Sequence, residues 1–102
     1  MQVPIACTLS ADGAAQRIEE WRHFLGRATF AAERVSDRRL RVRLVDSKDA
    51  VPDAVDLARR EKACCAFFEF SIEVEADASW LSVTVPPDAS GVLTEFASLL
   101  PS

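Results

Sequence analysis

The sequence predicts an α+β domain in two layers, a four-stranded mixed sheet with three helices mainly on one face, in the order β-α-β-α-β-β-α. Three observations carry this. Apolar residues alternate with polar ones in four short runs, the period of strands with one buried face. Elsewhere apolar residues recur at spacings of three and four, the period of an amphipathic helix. A single side of each strand is clearly apolar, so the helices belong on one sheet face rather than both. The 102 residues, nearly half of them apolar, suffice for one domain spanning 1–102.

Val3, Ile5, Cys7 and Leu9 form the first alternating run, and Ser10 can cap the next element, a helix. Ile18, Trp21, Leu25, Ala28, Ala32 and Val35 set its apolar stripe, predicting a helix over residues 12–35. Arg17, Glu20, Arg27 and Arg34 fall on its opposite, wet side. Leu40, Val42 and Leu44 predict the second strand, and Asp46-Ser47-Lys48-Asp49 a turn. Pro52 suits the first position of the next helix, because no amide donor is needed there. That helix runs through Leu57, Ala58 and Glu61 to Cys64 and Cys65, after which Phe68, Phe70, Ile72, Val74 and Ala76 alternate as a strand. Residues 77–79 are short enough to make a hairpin with Trp80–Val85, which Pro86-Pro87 ends. Val92, Leu93, Phe96, Leu99 and Leu100 form the stripe of a last helix.

Composition narrows the function. A net charge of −4 argues against attraction to nucleic-acid phosphates. The basic stretch at Arg34, Arg38, Arg39, Arg41 and Arg43 has a structural explanation. Arg39, Arg41 and Arg43 face away from the apolar side of their strand, as do Glu69, Glu73 and Glu75 of theirs, so neighbouring strands would pair opposite charges. A face of both signs is also self-complementary in a homodimer. No apolar run approaches the roughly 20 residues that cross a bilayer. MQVPIACTLS lacks the charged and apolar regions of a signal peptide, and three cysteines, two adjacent, do not resemble a secreted staple pattern. The expectation is a cytoplasmic, reduced protein. His23 has no partner in the sequence that would complete acid–base machinery, and enzymatic activity is left open.

The stretch EKACCAFFEF carries the sharpest question. Thiolates are soft ligands for zinc, copper(I) or mercury(II). Cys64 and Cys65 lie about 100° apart in the last helical turn, so one of them enters the core squarely unless that turn unwinds. Glu61, one turn before Cys65, sits near the apolar stripe, where a carboxylate needs a partner. Cys7 is the candidate third thiol, and Glu61 can complete a tetrahedral set. Against this, parallel leading strands would hold Cys7 at the far end of the sheet from Cys64 and Cys65. Free cysteine also packs readily as a small apolar group, and a helix C-terminus disfavours a thiolate. Core packing and thiol chemistry both stand.

Cys7-Thr8-Leu9, Trp21-Arg22 and Glu61-Lys62-Ala63-Cys64-Cys65-Ala66-Phe67-Phe68-Glu69-Phe70 together resemble a family of small bacterial proteins sharing E-x-x-C-C-x-F-F. Similar segments accompany regulators of the MerR class, some tied to heavy-metal response. The resemblance implies Glu61, Cys64 and Cys65 as site positions, with Cys7 a weaker match. No helix-turn-helix reader is evident, so a regulatory role implies a regulatory protein partner. The leading expectation is a small binding or accessory protein sequestering or sensing a soft metal. The alternative is a noncatalytic dimerisation domain whose cysteines pack in the core.

Overall fold

Trp21, Phe24, Leu25 and Ala28 recur every three or four residues, and all four are buried on one side of helix α1, Ala11–Ala28. The computed structural model describes residues 11–101, with side chains from residue 13 onward. The strand expected at Val3, Ile5, Cys7 and Leu9, and the cap at Ser10, lie outside the described residues.

Helix α1 stops at Ala28, which corrects the expected helix over 12–35. Thr29–Ser36 is instead a strand, β1, that turns through Asp37-Arg38 into β2, Arg39–Leu44. Tertiary pairing decides the outcome. The Val45 amide donates to the Ala28 carbonyl at 2.7 Å, and Ala32 and Glu33 pair with Val42 and Arg41. The ladder slips between Thr29 and Ala31 and again between Arg34 and Ser36. These slips break strict alternation along β1, while Ala28, Ala32 and Val35 stand in the sequence at spacings a helix would also use.

The remaining elements match the predicted pattern, except that the last helix stops short of Leu99 and Leu100. Helix α2 spans Ala50–Cys64, two residues earlier than Pro52 suggested, so that proline lies within the first turn, where amides have no intrahelical partner. Strands β3, Glu69–Val74, and β4, Ser79–Thr84, form the hairpin. A 3₁₀ turn at Pro87–Ala89 leads into α3, Ser90–Ala97. The described elements run α-β-β-α-β-β-α in a sheet of order β1-β2-β4-β3, every neighbouring pair antiparallel.

The α+β class, the four-stranded sheet and the three helices on one face hold as expected. Leu40, Val42 and Leu44 of β2 and Leu81 and Val83 of β4 pack with Trp21, Phe24, Leu57, Leu93 and Phe96 in one core. β1 overhangs this core: all its residues after Thr29 are exposed. On the sheet's other face β4 separates β2 from β3, so the arginines and glutamates do not sit on adjacent strands. Arg41 bridges the gap. Its guanidinium lies 4.0 Å from the Trp80 ring centre and 3.8 Å from both Glu33 and Glu73. No described helix is long and apolar enough to cross a membrane.

Candidate functional site

Glu61 lies in the last full turn of α2 on the same side as Leu57 and Ala58, so the helix's own phase carries it inward. It is 6% exposed. Two residues one turn apart on α1 meet it there. The Trp21 indole Nε1 donates to Glu61 Oε1 at 2.8 Å, and Arg17 Nη1 donates to the same oxygen at a long 3.4 Å. A buried carboxylate is costly without such partners. The long Arg17 bond is the weaker half of the arrangement.

Helical phase assigns Arg17 to the wet face of α1. Its side chain folds back instead over Glu61 and is only 12% exposed. Its Nη2 reaches Cys64 Sγ at 4.0 Å, its Nε lies 3.4 Å from Glu20 Oε1, and that Nε is buried without a hydrogen-bond acceptor among the described residues. Burial works to lower the guanidinium's pKa, but the charge of Glu61 and the bonds to Cys64 and Glu61 outweigh it and raise the pKa.

The last turn of α2 unwinds at Cys65, and the two cysteines divide between a half-buried and a buried position. Cys64 ends α2 and is half-buried, a free thiol. Cys65 leaves helical geometry at φ −127°, ψ 81°, its amide still donating to the Glu61 carbonyl at 2.7 Å, and its side chain joins the core. The unwound turn also aims the aromatics next in the chain. Phe67 and Phe68 stack at 4.6 Å, and Phe68 continues into contact with Phe70 and Phe96.

These groups line a half-open pocket of about 270 Å³ between α1, the α2–β3 junction and α3. Ile18, Trp21, Phe67, Phe68, Phe96 and Leu99 supply most of its wall and Arg17 and Glu61 its charged floor, with exposed Arg22 and Glu95 also in the lining. Ile18 stands at the rim 44% exposed, although its position on α1 belongs to the apolar stripe. Phe67, just past the unwound turn, also lines the pocket. A second cleft of about 230 Å³, between α1 and α2, is rimmed by ion pairs. Arg60 bridges Glu20 and Asp56 there, and Arg27 pairs with Asp53. Exposed His23 lines this cleft, away from the cysteines.

Of the four residues singled out as metal ligands, Glu61, Cys64 and Cys65 lie on one short segment, and Cys7 is outside the described residues. Among the described residues no three histidine, cysteine or acidic side chains are grouped to hold an ion. The Arg17 guanidinium, already positive, reaches both Glu61 and Cys64. Sequence reasoning finds Glu61 but misses Arg17 and Trp21. Their signal is an arginine and a tryptophan four apart on one helix, facing the lone acid of another helix's apolar stripe. Comparison with known protein families, with curated proteins and with solved structures finds no match to this chain.

Proposed function

We propose that the chain is a binding or accessory domain that holds a small, largely apolar molecule in the pocket between α1, the α2–β3 junction and α3. One observation carries the reading: an aromatic cavity with a buried carboxylate at its floor, held by an indole and a guanidinium. Apolar walls supply affinity, and a few fixed polar groups supply orientation, the usual division of labour in a ligand site. The sequence contains two tryptophans, so a ¹⁵N-labelled sample gives two indole N–H resonances. Titration with a one-ring arene should move the Trp21 resonance saturably and leave that of Trp80, on the far sheet face, in place. No movement at Trp21, or equal movement of both, would contradict the proposal.

A soft-metal reading has its own support, since Glu61 Oε1 and Cys64 Sγ face the same guanidinium at 3.4 and 4.0 Å. Zinc, copper(I) or mercury(II) held by Cys64, Cys65, Cys7 and Glu61 would suit the resemblance to segments beside heavy-metal regulators. A cation there must displace Arg17. Native mass spectrometry of the reduced protein separates the readings. An ion retained by the parent and lost in Cys64→Ser and Cys65→Ser favours metal; no retained zinc or copper(I) favours packed thiols. The same spectrum reports the homodimer that exposed Phe30 and Val35 on β1 favour.

A further inference from the structure

We propose that the pocket selects an uncharged one-ring aromatic carrying a hydroxyl group, a phenol or benzylic alcohol; this rests on reading the pocket as a ligand site. The walls set the ring. Four aromatic side chains, Trp21, Phe67, Phe68 and Phe96, line a space of about 270 Å³, smaller than the cavities that take drug-sized ligands. The floor sets the charge. Arg17 and Glu61 already offset one another there, so an ammonium ligand meets the guanidinium and a carboxylate ligand meets Glu61. Either would also lose its hydration in a pocket of apolar walls.

Polar capacity left at the floor sets the functional group. The bonds from Trp21 and Arg17 both end on Glu61 Oε1, so among the described residues Oε2 keeps acceptor capacity for a ligand donor. Arg17 can only donate, and its bond to the Glu61 oxygen at 3.4 Å lies beyond the usual range for N–H···O, while its other contact is to the Cys64 sulfur at 4.0 Å. A hydroxyl both donates and accepts, so one oxygen serves both residues, whereas an ammonium can only donate and a bare ring offers neither.

The test uses the full reduced chain and four ligands of one shape: p-cresol, toluene, 4-methylbenzoate and 4-methylbenzylamine, each followed by calorimetry and by the Trp21 indole resonance. p-Cresol should bind about tenfold more tightly than each of the others, the discrimination of one well-made hydrogen-bond pair. Glu61→Gln should cut the preference for p-cresol over toluene, read as the ratio of the two affinities in the same variant, to less than about threefold. Ile18→Trp, at the exposed rim, should block all four. Toluene binding as tightly as p-cresol, or a charged analogue binding best, would overturn the ligand class but leave the pocket as a site. If no arene saturates the protein, both proposals fall.

Discussion

At the scale of single residues, stability and site chemistry meet at Glu61. Its Oε1 accepts from Trp21 at 2.8 Å inside the core, and removing that donor leaves the buried oxygen only the long bond from Arg17. Trp21→Phe keeps a ring but removes the N–H, and should cost about 1–3 kcal/mol in urea denaturation. Combined with Glu61→Gln it should show a coupling of at least about 0.5 kcal/mol, because the two side chains share one bond. Additive losses would mean the bond contributes nothing of its own. Glu61 is legible in the sequence because an acid on an apolar stripe is conspicuous. Arg17 is not, because a long arginine on a polar face can fold back over its own helix, and helical phase fixes where its stem starts but not where its guanidinium ends.

Elements differ in how far packing supports them. β2 and β4 are central and send Leu40, Val42, Leu81 and Val83 into the core, whereas β1 is a two-sided exposed edge. Leu81→Ala should therefore cost about 2–5 kcal/mol, and Phe30→Thr no more than about 0.5 kcal/mol, in the same denaturation experiment. Amide exchange should begin in β1 and reach β2 and β4 last. Protection of β1 equal to that of β4 would show that the edge is covered in solution. The same exposure explains why β1 escapes the sequence reading. Without a buried face it carries no strong period of two, and its alanines and Val35 prolong the helical spacing of α1. Strands β2, β3 and β4 are legible because each has a side turned to the core, and α2 because its phase holds as far as Cys64.

Across the whole molecule, charge ties α1 to α2 as the core ties both to the sheet. Arg60 donates to Glu20 at 2.7 Å, and that bond, together with the charges of Arg60 and Arg17, holds the Glu20 carboxyl below its ordinary 4.5. A depressed folded-state value means the stabilisation is complete above pH 4.5 and is lost as pH falls through the lower value. Glu20→Gln should make the decline of stability below that pH shallower; an unchanged acid profile would remove Glu20 from the cause. The central claim, however, concerns the pocket, and intermolecular NOEs from p-cresol to ¹³C-labelled methyl groups test it most directly. Ligand binding in the pocket predicts contacts to Ile18, Val92 and Leu99, all in its wall. Contacts confined to Val35 or Val74, exposed on the sheet's edge strands, or none at saturating ligand, would contradict it.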